Sequence, residues 1–271
     1  MIPLPTSTSC SARSKKGGCS VTATTTSLDL TGKVTLVTGG SRGIGRQLAL
    51  AMARHGATVV VTARNLDSSP GRSGDTLRGT VEAVEAAGGT ALAIPATITD
   101  PADAARLVEQ TIERAGRLDV LLNNAGVYPD ALVAETSDEE WHDAMDVNLN
   151  AVFYLTRAAL PVMARQGGGR IVNVSSELAW AWMARRIAYS ATKAALNAFS
   201  QALAVEVRAQ NIEVIAWTPG HVLTDMSWPR AKQGVETVEP SFLWMLAQPP
   251  MALTGLILRK DEFGKSWGEG V

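Results

Sequence analysis

The chain has 271 residues, 46% of them hydrophobic and 19% charged, with a formal net charge of −1 at neutral pH. That length accommodates one large α/β domain or two small ones with a substantial core, and the near-neutral charge gives no footprint for nucleic acid or an anionic membrane surface. The only cysteines, Cys10 and Cys19, lie near the N-terminus, and His55, His142 and His221 show no ligand spacing, so neither a disulfide framework nor a metal site is expected.

Residues 1–27 are rich in Ser and Thr and carry Arg13, Lys15 and Lys16 without a single acidic residue. Such a segment cannot bury enough apolar surface to fold alone, so it is expected to be a disordered extension. A transit peptide has a similar composition, but Arg is sparse and no amphipathic period is evident. No apolar run approaches the ~20 residues a membrane helix requires. A cytoplasmic protein is therefore expected, with organellar targeting by the tail as the alternative.

From Leu28 the texture changes. "KVTLVTGG" is a short β-branched run ending in glycines and predicts a buried strand. "GIGRQLALAMARHGA" has helical periodicity and stops at Gly56. "TVVVTAR" predicts a second strand, and a polar loop then leads into a helix near residues 75–87. Strands follow at "TALAIPA", "LDVLLNNAG", "GRIVNVSS" and "IEVIAWTPG", each after a helical segment. Continuous apolar strands alternating with helices predict a doubly wound α/β domain over residues 28–271, with a mostly parallel central sheet covered on both faces.

"TGGSRGIG", residues 38–45, falls at the turn from the first strand into the first helix. Helix N-terminal amides and the helix dipole favour an anion there, and Gly39, Gly43 and Gly45 remove side chains that would block a phosphate. The second strand ends "TARN". Arg64 therefore stands where a site for NAD usually has a carboxylate for the ribose hydroxyls. With Arg42 in the glycine loop it suits a 2′-phosphate, which favours NADP over NAD.

"TGGSRGIG", "NNAG" (123–126), "VNL" (147–149), "NVSS" (173–176), "YSATK" (189–193) and "PGHVLTDM" (219–226) occur in this order. Taken together the chain resembles a short-chain dehydrogenase/reductase, over nearly everything after the tail. The resemblance implies a Rossmann domain and a catalytic set of Ser176, Tyr189, Lys193 and Asn148, the last holding a proton-relay water. Ser176 rather than Ser175 is implied because the family places its serine thirteen residues before the tyrosine. For the cofactor it implies Gly39, Ser41, Arg42, Gly43, Ile44, Gly45, Arg64, Thr97, Asn124, Ala125 and Gly126. Tyr189, Lys193, Pro219, Gly220, Val222 and Thr224 complete that set. "NNAG" is expected on the adenosine side of the cavity, and Pro219-Gly220 and Thr224 at the nicotinamide. Two departures stand out. Thr97 replaces the usual Asp beside the adenine, and Ile215 replaces an Asn often found before the Pro-Gly turn.

The implied roles agree with elementary chemistry. Hydride addition to a carbonyl builds charge on oxygen, which an acid must neutralise. A free tyrosine titrates near 10, and a Lys193 ammonium one helical turn away, with the positive nicotinamide ring nearby, is expected to favour the phenolate and lower that value. Ser176 can donate to the substrate oxygen. The pocket is expected in residues 177–188 and 221–250. Trp180, Trp182, Met183, Trp228, Trp244 and Met245 there favour a bulky apolar carbonyl or secondary alcohol, or else pack as core or subunit interface. Arg185 and Arg186 read as a solvated turn or as a contact for an acidic substrate group. The family pairs subunits through the helices carrying Asn148 and YxxxK, so a homodimer or homotetramer is implied. The competing readings are an NAD-preferring alcohol dehydrogenase and a non-catalytic dinucleotide sensor.

Overall fold

The computed structural model describes residues 21–22, 28–68, 73–227 and 229–269. In chain order the elements are β1 (Val21–Thr22), β2 (Val34–Thr38), α1 (Gly43–Arg54), β3 (Thr58–Thr62), α2 (Leu77–Ala86), β4 (Thr90–Ala93) and α3 (Pro101–Ala115). β5 (Val120–Asn123), α4 (Asp138–Met145), α5 (Ala151–Arg165), β6 (Gly169–Val174) and α6 (Ile187–Glu206) follow. β7 (Ile212–Thr218), α7 (Glu239–Ala247), β8 (Ile257–Arg259) and β9 (Trp267–Glu269) complete the order.

Seven strands form one sheet in the order β4-β3-β2-β5-β6-β7-β8. Every pairing is parallel, so the sheet is wholly and not just mostly parallel. All five residues of β2 and all seven of β7 are buried, because helices cover both faces. Alternation along the strands divides the core in two. Leu36, Val60, Leu121, Ile171 and Val214 pack with Leu107, Leu155 and Leu203 on one face. Val37, Val61, Leu122, Val172 and Trp217 pack with Leu48, Met52, Val84 and Phe242 on the other.

Local sequence sets the helix boundaries. Asp100 caps α3 by accepting from the Asp103 amide at 2.7 Å, Pro101 opens the helix, and Gly116 closes it in the left-handed region at φ 83°. Ser137 and Glu140 form a reciprocal capping box at the start of α4.

Several sequence expectations shift. The helix expected from about residue 75 begins at Leu77, since Thr76 adopts extended backbone and accepts from the Gly79 amide at 3.0 Å. β8 is an additional edge strand, too short to announce itself in the sequence. Within the expected N-terminal extension, Val21–Thr22 pairs in parallel with β9, so those two residues are ordered by tertiary contact. Residues 1–20, with Cys10 and Cys19, and residues 23–27 lie outside the described residues.

The strand order reverses between β2 and β5, which opens a crevice at the carboxyl ends of the strands. β5 and β6 are locked there in register. Asn123 stands opposite Asn173, and its amide donates to the Asn173 side-chain oxygen at 2.8 Å, while Asn173 donates to Ser200 at 2.9 Å on α6. The ends of the "NNAG" and "NVSS" strands are thereby held at one height.

Candidate active site

The glycine loop forms its cradle by close packing. A Cβ on Gly45 would lie 2.3 Å from the Gly39 carbonyl oxygen and 2.5 Å from Asn124 Nδ2. Only glycine is compatible with that position. Gly39 and Gly43 adopt positive φ. Ser41 is buried, and Ile44 is partly buried against the core. "NNAG" braces this loop: the Asn124 amide donates to the Thr38 carbonyl at 2.8 Å, and the Asn124 and Ala125 backbone amides donate to Thr38 Oγ1 at 2.9 and 3.0 Å. Gly39, Gly43 and Gly45 leave backbone without a Cβ at the start of α1, an arrangement suited to a dinucleotide phosphate.

The basic residues beside the cradle are not equivalent. Arg64 is exposed beyond the end of β3. Arg42 pairs with Asp225 at 3.4 Å, and Asp225 also accepts from Ser73 at 3.4 Å. The segment after Pro219-Gly220 thus reaches across the crevice to the glycine loop. Thr224 Cγ2 lies 3.3 Å from where a Gly43 Cβ would be, and a cleft of about 420 Å³ lies between, lined by Gly43, Ser73, Asp75, Leu223, Thr224, Asp225 and Val235. Val222 is buried and bridges to Gln233, and Lys260 donates to Gln233 and Thr237 at 2.8 and 2.7 Å. Thr97 is exposed, its backbone amide held by Asp103 at 2.6 Å.

At the other end of the crevice, Ser176, Tyr189, Lys193 and Asn148 come together. Ser176 follows β6, where its hydroxyl accepts from the Leu178 amide at 3.2 Å and also hydrogen-bonds Tyr189. It is therefore both a cap and a partner of the phenol. Its neighbour Ser175 points elsewhere, donating to Asn197 at 2.6 Å. Lys193 Nζ donates to the Val174 carbonyl at 2.7 Å and lies 5.6 Å from the centre of the Tyr189 ring. Asn148 occupies a π-helical turn, Asp146–Asn150, between α4 and α5. That one-residue widening turns its side chain inward: Oδ1 accepts from the Val127 amide at 2.9 Å, and Nδ2 donates to the Val127 carbonyl at 3.0 Å and to Thr192 at 3.2 Å. Asn148 therefore ties the loop after β5 to α6.

One sequence expectation is corrected here. Gly126 lies at the catalytic end rather than the adenosine side: a Cβ on it would meet Asn148 Oδ1 at 3.1 Å and Lys193 Nζ at 4.0 Å. Within the protein itself, burial is the largest influence on Tyr189 and Lys193. Burial pushes Tyr189 up to about 12, against the opposing hydrogen bond from Ser176, and brings Lys193 down to about 8. Both groups sit in a desolvated site, where the neutral form of each is favoured.

The pocket expectation also changes. Trp244 packs on Phe263 and Trp267, and Met245 is fully buried, so these two belong to the core. Trp182 and Met183 are exposed, Trp180 carries the Arg259 guanidinium at 5.4 Å, and Trp228 lies outside the described residues. Arg186 is neither solvated nor free for an acidic group. It is 4% exposed, pairs with Asp130 and donates to the Pro129 carbonyl at 3.0 Å. Asp130 gathers Arg185 at 2.7 Å and Arg230 at 3.4 Å as well, and these cations hold its carboxyl well below the usual range. Tyr128 was not singled out by the sequence; its ring packs nearly perpendicular to Tyr189, with centroids 4.7 Å apart.

Among the described residues no group of three His, Cys, Asp or Glu could hold a metal, and no helix is long and apolar enough to cross a membrane.

A family model described as short chain dehydrogenase matches residues 33–234. The chain is 39% identical over 226 residues to an uncharacterized oxidoreductase of Methylorubrum extorquens, covering 83% of this chain and 86% of the relative. It is 36% identical over 198 residues to a 3-oxoacyl-(acyl-carrier-protein) reductase of Synechocystis, covering 73% and 77%. Among solved structures, a dehydrogenase/reductase of Sinorhizobium meliloti superposes with a TM-score of 0.77 at 31% identity, covering 86% of this chain and 95% of that one. A Beutenbergia cavernae protein, assigned as an NAD(P)-dependent gluconate 5-dehydrogenase and solved with NADP at low occupancy, superposes at 0.76 with 30% identity, covering 87% and 98%.

Proposed function

The chain belongs to the short-chain dehydrogenase/reductase family, and on that premise we propose that it is an NADP(H)-dependent reductase of bulky apolar carbonyl compounds. The observation that carries this reading is the convergence of Ser176 with the buried Tyr189 and Lys193, whose Nζ lies 5.6 Å from the centre of the Tyr189 ring. In this reading the glycine loop, Asn124, Ala125, Gly126, Pro219, Gly220, Val222 and Thr224 line the cofactor, whose nicotinamide supplies a hydride-transferring carbon. Arg42 and Arg64 take the 2′-phosphate, with Arg42 exchanging Asp225 for it; Thr97 lies beside the adenine.

Ser176 orients the carbonyl oxygen, and Tyr189 delivers a proton to it as charge develops. Burial keeps the Tyr189 phenol protonated at neutral pH, the form a proton donor requires. Lys193 supports the phenolate left behind, and its proton replaces the one Tyr189 gives up. Asn148 fixes the geometry of α6 against the loop after β5 and, by likeness to the family, holds the water through which the proton is resupplied. The exposed Trp182 and Met183, in the segment between Ser176 and Tyr189, support an apolar substrate, and the Synechocystis relative is named for reduction of a 3-oxoacyl group. Phe153 on α5 and Val205 on α6 are exposed, which supports pairing of subunits through those helices in a cytoplasmic homodimer or homotetramer.

The test is NADPH and NADH consumption against a panel of ketones, quinones and β-keto esters, with Tyr189→Phe in parallel. Turnover with NADPH that Tyr189→Phe abolishes supports the reading. Undiminished turnover in Tyr189→Phe removes the catalytic assignment, and a strong NADH preference removes the role of Arg42 and Arg64.

A further inference from the structure

We propose that Arg186 is a positioning residue for the reaction, a permanent buried cation that acts on Tyr189 through the ring of Tyr128. The inference rests on the reading of Tyr189 as proton donor. The Arg186 guanidinium lies over the Tyr128 ring at 4.2 Å from its centre, and Tyr128 in turn packs at 4.7 Å and 83° on the Tyr189 ring. The stack is fixed at its outer end by the Asp130 carboxylate and the Pro129 carbonyl. Arg186 immediately precedes α6, so it is anchored to the helix that carries Tyr189 and Lys193.

The groups facing the phenol are Ser176 from the end of β6, Lys193 from α6 and Tyr128 from the loop after β5. Of these only Lys193 carries a positive charge, and burial weakens its hold on the proton. A guanidinium does not deprotonate in proteins. Arg186 therefore supplies a fixed, buried positive charge behind the donor. It lowers the cost of the phenolate that forms when Tyr189 gives up its proton. Asp130 faces Arg186 and offsets part of its charge, and is itself shared with Arg185 and Arg230.

The chain has three tyrosines, Tyr128, Tyr154 and Tyr189, so 3-fluorotyrosine labelling gives three fluorine resonances that Tyr→Phe variants assign. Fluorine lowers phenol pKa values and brings their titration towards a range in which the fold persists. The measurement is made on the full chain without substrate, and thermal melts check that each variant is folded. Arg186→Met is expected to move the Tyr189 titration upward by on the order of half a pH unit, Arg186→Lys to leave it near the wild-type position, and Asp130→Asn to move it downward. An unchanged titration in Arg186→Met, or equal shifts in Arg186→Met and Arg186→Lys, overturns the proposal. If that occurs while Tyr189→Phe is inactive, the inference fails alone; if Tyr189→Phe retains turnover, the underlying reading fails and the inference with it.

Discussion

Lys193→Met should make the protein more stable at neutral pH while abolishing turnover. Lys193 is buried and donates to the Val174 carbonyl, and burial brings it from 10.5 to about 8. A depression of that size corresponds to about 3 kcal/mol of destabilisation at pH 7, where the folded chain still carries the charge. Methionine fills a similar volume without charge, but leaves the Val174 carbonyl without its donor at a cost of about 1 kcal/mol. The net gain is about 2 kcal/mol, or roughly 5 °C in Tm for a domain of this size.

The pH dependence identifies the cause. The folded-state pKa of Lys193 lies below its unfolded value, so above pH 8 the unfolded chain binds more protons at this site than the folded one. The destabilisation is therefore fully present below pH 8 and is relieved as pH rises toward 10.5. Urea unfolding followed by tryptophan fluorescence should find Lys193→Met ahead at pH 7 and nearly level with wild type at pH 9.5, the gap narrowing by about 2 kcal/mol. A variant less stable than wild type at pH 7, or a gap independent of pH, would refute the argument that desolvation governs this lysine.

Three further outcomes follow from the packing. Gly45→Ala places a Cβ 2.3 Å from the Gly39 carbonyl oxygen, so the loop must open; dinucleotide binding measured by fluorescence should fall at least tenfold while α1 and the sheet persist. Arg170→Met removes the partner of the buried Glu213 and three donations to the carbonyls of Met245, Leu246 and Gln248. It should cost about 3–5 kcal/mol in urea unfolding, and Arg170→Met with Glu213→Leu should recover much of that loss. Asp225→Asn removes a carboxylate that lies 3.4 Å from Arg42 and should tighten NADPH binding several-fold with little change for NADH, measured by titration; equal effects on both would show that Arg42 does not meet a 2′-phosphate.

The chemistry of the candidate site was legible because its determinants are local. Tyr189 and Lys193 lie one helical turn apart whatever surrounds them, and the glycine loop must follow a strand and precede a helix to work. Asn123 and Asn173 end strands that the sequence already shows as apolar runs, though their mutual hydrogen bond depends on register. The aromatic residues were harder to read. Trp182 and Trp244 look alike in sequence, yet one is exposed and the other is packed against Phe263 and Trp267. Helical and loop segments of similar composition meet different neighbours, and nothing local records which.

By itself, then, the sequence determined the alternation of buried strands and amphipathic helices, the glycine-rich turn after β2 and the one-turn spacing of Tyr189 and Lys193, because spacing and backbone requirements fix these within a few residues. Only the tertiary structure decided the electrical state of those side chains. Burial raises the Tyr189 phenol and lowers the Lys193 ammonium, an effect of how much water reaches them. It also decided that Arg186, which in sequence is one half of a surface-like Arg-Arg pair, turns inward onto Tyr128 while Arg185 remains exposed. Desolvation and contacts between residues more than fifty positions apart are properties of the assembled fold, and no window of sequence contains them.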